Sequence, residues 1–374
     1  MKGSGTFRIA SEQADFLQLQ ADWDRLYDAN PRHSPFLAWG WVDAWLRHIA
    51  KDHELQIITW EDGDGIVQFI LPLHRVTGSG EIMLACSYGL DCSDNLGCIC
   101  SPELEEKSAE LTADAITHVY ARSERVSFGF LDGTSAYHAN LQAAMAARDR
   151  LTRIRPAAVS PAAELPDSWD DYLGRMSSNF RSQVRRAYRK IGGEGAPAFR
   201  SVDPSGAAEF VSDLIRLNRT RLQSKGRKSS AENAQFREFL SDAIPYMADR
   251  GLAWMDSIAL EDEVLACALN FVHGKTVSFY MGGFEDKASR FRPGNALFAH
   301  VIQRAIERGF NRYDFLRGAE AYKYRWSAVD ATMHTVVVYP NGLVRGTGAA
   351  ILDDLWLNTR NRLKKLRKRV RGPG

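Results

Sequence analysis

The chain has 374 residues, 45% hydrophobic and 25% charged, which excludes disordered and fibrous classes and allows two domains. Its formal net charge of +2 is unevenly distributed. Residues 360–371 carry eight basic side chains and no acid, so removing these eight charges leaves −6 on the other 362 residues. An acidic body argues against binding nucleic acid, because phosphate binding needs a cationic surface over much of the footprint.

The sequence offers no signal for export and no metal-binding motif. The first residues lack the apolar stretch of a secretory signal, and no window of about 18 residues is apolar and uncharged enough to span a membrane. We therefore expect a cytoplasmic protein. Four of the five cysteines lie between Cys86 and Cys100, without a C-x-x-C pair or a histidine at ligand spacing. Reduced, buried thiols are favoured over a zinc site, and no metal is expected.

Residues 1–155 read as a first α/β domain. Residues 13–29 have apolar side chains near helical spacing until Asn30-Pro31 stops the pattern, and residues 35–50 carry a second helical stripe. Two apolar runs around the turn Glu-Asp-Gly-Asp-Gly, within residues 55–76, predict a hairpin. A helix, a strand and another helix are predicted at residues 107–123, 125–133 and 136–150.

Residues 156–168 contain three prolines and several alanines, and they predict a linker to a second domain at residues 169–345. That domain begins with a predicted helix over residues 169–191. Two more helices follow, with the basic loop SKGRKSS between them, and residues 252–284 read as three consecutive strands. The two helices are predicted at residues 207–223 and 231–250.

The two halves resemble each other. Residues 58–62 followed by 66–73 are similar to residues 258–262 followed by 264–271, and both halves run through helices, a hairpin, a helix and a strand. This pattern predicts a duplicated α/β unit.

Residues 276–326 carry the most chemistry. A β-type segment is followed by a loop ending in Arg290-Phe291-Arg292-Pro293-Gly294, an amphipathic helix that Gly309 ends, and a second strand. Free N–H groups at a helix start, a glycine and two arginines suit a pyrophosphate. An ordinary strand–helix connection is the alternative, and the loop matches neither the Rossmann nor the P-loop pattern.

These segments resemble the closing region of the GNAT acyltransferase superfamily, in particular its CelD-like branch, which is named for cellulose biosynthesis. The resemblance covers roughly residues 30–340 and is strongest in the C-terminal motifs. It implies an α/β fold with two tandem GNAT-like domains, each a mixed, mostly antiparallel sheet flanked by helices, similar to the Fem peptidoglycan transferases. The matching positions are Gly294, Asp314-Phe315, Gly318, Glu320, Tyr322-Lys323 and Trp326.

The resemblance implies that acetyl-CoA, or another acyl-CoA, binds with its pyrophosphate at the start of the 294–308 helix. The loop here has fewer glycines than the usual GNAT loop, which leaves fewer backbone donors for the phosphates. The residues assigned to the cofactor are Tyr280, Met281, Gly282, Arg290, Arg292, Gly294, Asn295 and Ala296.

Direct attack of an amine on the thioester requires a proton acceptor and a proton donor. The strands around Tyr280 and Asp314 should splay to admit the thioester. Asp314 and Glu320 are the candidate bases, although Asp314 could instead pair with a neighbouring arginine. Tyr322 is the candidate donor to the leaving sulfur, and Lys323 could hold an acceptor group or a cofactor phosphate.

On the acceptor side, Asp91 and Asp94 could line the cleft from the first domain, and an Asp-rich turn is the alternative. Arg181 and Arg185 lie one helical turn apart and could clamp an anionic acceptor or CoA phosphates. A solvated helix face is the alternative, and it is slightly favoured.

The leading hypothesis is an N-acyltransferase that moves an acyl group from coenzyme A to an amine on a sugar or a cell-envelope polysaccharide precursor. The alternatives are a Fem-like transferase that uses aminoacyl-tRNA and a non-catalytic scaffold in polysaccharide assembly. Residues 346–374 form a separate basic tail. Its amphipathic part, residues 351–371, predicts docking on an anionic inner membrane surface near a lipid-linked sugar acceptor, with a solvated end as the rival.

Overall fold

The computed structural model describes residues 5–90, 92–120, 124–192 and 196–340. It contains helices packed on a single mixed sheet of 13 strands. The basic tail and Asp91 lie outside the described residues, so the hypotheses that rest on them remain predictions. Among the described residues, no helix combines the length and the apolar character that crossing a membrane requires.

The first half of the chain supplies one half of the sheet. Its strands are β1 (Thr6–Ala10), β2 (Glu54–Glu61), β3 (Val67–Arg75), β4 (Ile82–Leu84), β5 (Ile99–Cys100), β6 (Val126–Asp132) and β7 (Thr152–Glu164). Its helices are α1 (Gln13–Gln18), α2 (Gln20–Ala29), α3 (Trp39–His48), α4 (Ser108–Val119) and α5 (Ala136–Ala146).

The second half follows the same plan. Its strands are β8 (Ala198–Val202), β9 (Ala253–Leu260), β10 (Glu263–His273), β11 (Thr276–Phe284), β12 (Arg312–Asp314) and β13 (Val329–Val338). Its helices are α6 (Trp169–Gly174), α7 (Ser178–Arg189), α8 (Ala207–Gln223), α9 (Ala234–Asp249), α10 (Pro293–Glu307) and α11 (Ala321–Tyr324).

The strand order shows the duplication and also that the two halves exchange their last strands. The order is β1-β2-β3-β4-β6-β13-β7-β12-β11-β10-β9-β8, with β5 paired to β3. Each half contributes a run of five strands whose last two, β4 and β6 or β11 and β12, are parallel. The final strand of each half then crosses over, because β13 pairs with β6 and β7 pairs with β12. The predicted α/β fold of two similar units, each mostly antiparallel and flanked by helices, is confirmed.

The predicted linker is a strand over most of its length. Residues 156–168 were expected to cross between the domains, and most of them belong to β7, near the centre of the sheet. Pro156 is tolerated because it lies at a register shift against β13, and proline is found at bulges within sheets. The crossing between the halves is therefore a strand that pairs with both of them.

The single helix predicted over residues 169–191 is two helices. Ser177 begins α7 by accepting the Phe180 N–H on its hydroxyl oxygen, which sets a new helix start after α6 has ended at Gly174. The other predicted helices and strands of this half occur, although β12 is shorter than the sequence pattern suggested.

An aromatic cluster joins the two halves. Trp41 of α3 is completely buried, and its ring lies 4.7 Å from Phe239, 5.2 Å from Phe271 and 5.3 Å from Tyr280, all from the second half. Its indole N–H donates to the hydroxyl of Ser93 at 2.8 Å, so the ring is held at both its apolar and its polar end. The core is thus continuous across the duplication.

Candidate active site

The predicted splay of two strands is confirmed. The parallel strands β11 and β12 pair over three positions, ending at Ser278 and Asp314. Beyond that point the chain after β12 turns toward β7, where the Phe315 N–H donates to the carbonyl of Pro161 at 2.9 Å. Strand β11 continues paired with β10 alone, and this pairing has a bulge at Tyr280. The result is a fork in the sheet with polar backbone available along one arm.

The fork opens into a cavity of about 760 Å³, which we call the cationic cavity. Along β11 it is lined by the run from Phe279 to Phe284, and across the fork by Phe298, Tyr313 and Tyr322. Among the described residues, its lining is mostly basic in charge: it contains one acidic residue, Glu320, and five basic ones, Arg221, Lys225, Arg227, Lys228 and Arg292.

Helix α10 begins at this cavity. Arg292 is its N-cap residue, in the left-handed conformation with a φ of 54°, and no side chain caps the first turn. Pro293 has no N–H, so Gly294 and Asn295 supply the first backbone donors, and both line the cavity. The first turn contains no acid, which leaves the positive end of the helix dipole uncompensated. This arrangement favours an anion.

The loop between α8 and α9 provides most of the positive charge. Lys225, Arg227 and Lys228 belong to the basic segment that the sequence showed but to which it assigned no role. Burial lowers the pKa of Lys225, and the neighbouring Arg221 and Arg227 lower it further. These cations repel one another, so a bound polyanion would stabilise them.

Two hydrogen bonds connect this loop to the bulged strand. The amide of Asn218 donates to the carbonyl of Gly282 at 2.9 Å, and the hydroxyl of Ser229 donates to the amide oxygen of Asn218 at 2.6 Å. Backbone packing is also close, because a Cβ at Gly283 would lie 2.3 Å from the backbone of α8. These contacts therefore fix the position of the basic loop beside the fork.

The four predicted catalytic residues do not share one cavity. Glu320 and Tyr322 line the cationic cavity, where the Tyr322 ring stacks 5.7 Å from Phe298. Burial raises the pKa of the Tyr322 hydroxyl and Glu320 raises it further, so the group keeps its proton at neutral pH and can donate it.

Lys323 is not placed to hold an acceptor group or a cofactor phosphate, the role predicted for it. Its ammonium is buried and donates to the carbonyls of Leu316, Arg317 and Gly318 at 2.8–2.9 Å, and it pairs with Glu320 at 3.0 Å. All three of its protons are directed at the turn, so none is left for a phosphate or an acceptor. Gly318, at a φ of 113°, permits this turn, because a Cβ there would lie 2.5 Å from the Glu320 carboxylate.

Asp314 faces the opposite side of the sheet. It lines a second cavity of about 710 Å³ between the halves, which we call the seam cavity. The Ser160 hydroxyl and the Leu316 N–H donate to its carboxylate at 3.0 and 2.8 Å. Burial raises the pKa of Asp314 to about 6, and nearby Asp94 adds to the rise. At neutral pH it is an ionised carboxylate that can accept a proton.

Several predicted residues lie away from these cavities. Arg290 stacks on Phe291 and is not among the residues that line the cationic cavity, while Ala296 is buried in the core beneath α10. Arg181 and Arg185 lie on α7, where Arg185 faces Asp170 at 3.8 Å. Neither arginine lines the cavity. The predicted positions Tyr280, Met281, Gly282, Arg292, Gly294 and Asn295 do line it.

Asp94 is held by the second half of the chain rather than lining either cavity. Its carboxylate accepts from the Arg317 guanidinium at 2.7 Å and from the Arg317 N–H at 2.9 Å. The Arg317 guanidinium lies 3.9 Å from the Phe130 ring centre. Asp94 therefore contributes an ion pair and a hydrogen bond between the two halves.

Residues 178–324 match the family model of the acetyltransferase (GNAT) domain. This span runs from the start of α7 to the end of α11 and contains the fork, the basic loop and helix α10. The chain thus carries a GNAT-type acetyltransferase domain. A search of curated proteins found no match.

Solved structures share the fold over most of the chain. A crystal structure of FemX is 12% identical with a TM-score of 0.61, covering 86% of this chain and 96% of that one. The C-terminal domain of a putative lysylphosphatidylglycerol synthetase from Agrobacterium fabrum is 11% identical with a TM-score of 0.54, covering 87% and 93%. A conserved protein of unknown function from Bacteroides thetaiotaomicron also reaches 0.54 at 10% identity, covering 89% and 100%. At these identities the likeness concerns the fold.

Proposed function

We propose that the protein is an acyl-CoA-dependent N-acyltransferase whose acyl donor binds in the cationic cavity. The observation that carries the proposal is the excess of positive charge where the sheet forks: in the part of the chain that the structure describes, five basic residues and one acid line the cavity. Coenzyme A carries a pyrophosphate and a further phosphate, and such groups are bound best by helix N-termini and basic side chains.

The residues present fit this donor. The uncapped start of α10 and Arg292 would hold the pyrophosphate, and the basic loop would hold the remaining phosphate. The fork between β11 and β12 would take the pantetheine arm and present the thioester to the backbone near the Tyr280 bulge. Backbone N–H groups there are the proposed donors to the developing oxyanion.

The proposed roles of the catalytic side chains follow from their positions. Tyr322 lines the cationic cavity and keeps its hydroxyl proton at neutral pH, so it could donate that proton to a leaving thiolate. Glu320 is a candidate base on the donor side, although its ion pair with Lys323 lowers its availability. Asp314 is the candidate base for an acceptor that enters through the seam cavity.

The acceptor class comes from the resemblance to the CelD-like branch. We propose an amine on a sugar or on a lipid-linked cell-envelope precursor, with the basic tail docking the protein to the inner membrane surface. The fold likeness to FemX keeps a Fem-like use of aminoacyl-tRNA as the second candidate. Release of free thiol from acetyl-CoA with a panel of amino sugars, compared with transfer from charged tRNA, separates the two. No transfer in either assay would favour the non-catalytic scaffold.

Calorimetric titration with acetyl-CoA tests the donor site. Two doubly substituted proteins remove the same charge: Lys225→Ala with Arg227→Ala inside the cavity, and Arg181→Ala with Arg185→Ala on α7. We expect the first to weaken binding at least about tenfold, because charge-assisted hydrogen bonds are lost, and the second to change it less than about twofold. Equal affinities for wild type and the first variant would remove the cationic cavity as the donor site.

A further inference from the structure

The segment around the clustered cysteines brings together three side chains that the donor site does not use. His33 lies in the loop after α2, Cys100 ends β5, and Glu105 lies in the turn before α4. One ligand atom from each, the imidazole nitrogen, the thiol sulfur and a carboxylate oxygen, lies within 4.8 Å of the other two. All three residues line the seam cavity.

We propose that His33, Cys100 and Glu105 form a zinc(II) site that opens onto the seam cavity. The ligand types are those that zinc prefers, and three protein ligands with one open direction match zinc sites that accept water or a substrate atom. Ideal tetrahedral geometry separates a thiolate sulfur and a carboxylate oxygen by about 3.5 Å, from the usual Zn–S and Zn–O lengths. Here the Cys100 sulfur lies 3.7 Å from Glu105 Oε2.

The surroundings orient two of the three ligands, His33 and Glu105. The Nδ1 atom of His33 lies 3.4 Å from the carbonyl of Tyr27, which places the ring proton there and leaves the lone pair on Nε2, 3.2 Å from the backbone nitrogen of Cys100. The amide of Asn30 donates to Glu105 at 2.5 Å. A carbonyl behind a histidine ligand and an amide behind a carboxylate ligand are typical outer partners of metal sites.

The charge balance suits a buried position. A zinc ion with one thiolate, one carboxylate and one neutral imidazole has no net charge, which limits the cost of burying it among residues that are 1% and 7% exposed at Cys100 and His33. Binding would replace the thiol proton that Cys100 now directs at Glu105, so one proton is released for each zinc ion bound. The Cys100 N–H gives up one neutral hydrogen bond, and three metal–ligand bonds form.

Competition with a chromophoric chelator tests the site in the full chain, which is first stripped of metal under reducing conditions. We expect one equivalent of zinc in wild type and, with cobalt(II), a thiolate-to-cobalt charge-transfer band. Cys100→Ser and Glu105→Gln should each lower the zinc affinity at least about 100-fold, beyond the effect typical of losing an outer partner. Cys92→Ser and Cys267→Ser, which alter buried thiols elsewhere, should leave affinity and band unchanged.

Two results would overturn the site. Wild type that fails to compete with the chelator for one equivalent of zinc has no such site, and zinc retained in Cys100→Ser places the metal elsewhere. Circular dichroism checks the fold of each variant. If Cys100→Ser does not fold, Glu105→Gln decides, since this half-buried side chain lies in a surface turn. The readout is metal binding, so it is independent of the proposed acyl transfer.

Discussion

The two halves share one plan of strands and helices but differ where each sheet forks. In the second half, β11 continues past its pairing with β12 and leaves a cavity. In the first half, β4 has only three residues and ends with its pairing to β6. The chain that follows β4 then lies beside β6, where the Leu96 N–H donates to the carbonyl of Phe130, so it occupies the place that the cavity has in the second half. Duplication has therefore preserved the scaffold and retained one open fork.

The two halves also differ in charge at the start of the helix that precedes the second parallel strand, which is α4 in the first half and α10 in the second. Helix α10 begins without an acid, next to Arg292 and the basic loop. The turn that leads into α4 carries Glu103, Glu105 and Glu106 instead. Because a helix start is positive, acids there compensate the dipole in the first half, whereas the dipole in the second half is uncompensated. Local charge and loop length, rather than topology, therefore distinguish the two forks.

The largest expected effect tests whether the halves fold as one unit. Trp41→Ala removes the buried indole that joins α3 to Phe271 and Tyr280, and we expect a loss of about 3–5 kcal/mol in the free energy of unfolding. Trp169→Ala, which alters a half-buried ring on α6, should cost less. Urea unfolding measures both. Two separate transitions in wild type would contradict a continuous core.

The sequence predicted the duplicated plan because its hairpins and amphipathic helices are local patterns. It also predicted the helix start near Gly294 and Arg292, which lies beside the cationic cavity, since a helix start can be read from consecutive residues. It could not tell that Asp314 and Tyr322 face opposite sides of the sheet, because that depends on where β12 ends. Lys323 was misjudged for a similar reason: the three carbonyls it binds converge only through the turn at Gly318.

The basic loop was visible in the sequence, but its partners were not. Its link to the fork through Asn218 and Gly282 joins residues 64 positions apart. Likewise, His33 meets Cys100 across 67 positions, so spacing rules for metal ligands could not detect them together. The prolines of β7 suggested a linker because proline is rare in a central strand. The bulge that accommodates Pro156 depends on the pairing with β13, which the local sequence does not show.

The second effect concerns the buried carboxylate at the seam. The pKa of Asp314 is raised to about 6 from 3.8, so the native state binds a proton that the unfolded state releases between these values. Stability contributed by this group is present at low pH and is lost as the pH rises to about 6. Asp314→Asn should therefore gain up to about 3 kcal/mol over wild type at pH 8 and almost nothing at pH 4.

Urea unfolding at the two pH values measures this difference. A stability difference that does not change with pH would show that Asp314 has an ordinary pKa. Activity provides the second readout, because a base that is ionised above about pH 6 should be required for transfer, and the asparagine variant should be slow at every pH.

A smaller effect separates two arginines that the sequence treated alike. Arg292 lines the cationic cavity at the start of α10, whereas Arg290 stacks on Phe291 away from it. Arg292→Ala should weaken acetyl-CoA binding by about 10- to 100-fold, the range expected for a lost charge-assisted contact, and Arg290→Ala by less than about twofold. Calorimetry under one salt concentration measures both. The reverse order would mean that the loop, rather than the helix start, holds the phosphates.

The smallest expected effect concerns a single hydroxyl. Tyr322 lines the cavity and stacks on Phe298, so Tyr322→Phe keeps the ring packing and removes only the proposed proton donor. A thiol such as that of coenzyme A has a pKa of about 8.5, so its thiolate leaves without full protonation, and we expect kcat to fall by only about tenfold with KM nearly unchanged. The matched control is Tyr324→Phe, because the Tyr324 hydroxyl bonds Asp330 at 2.8 Å outside the cavity. If the two variants have the same kcat, Tyr322 contributes packing alone, and the open fork of the second half must work through its backbone and its cations.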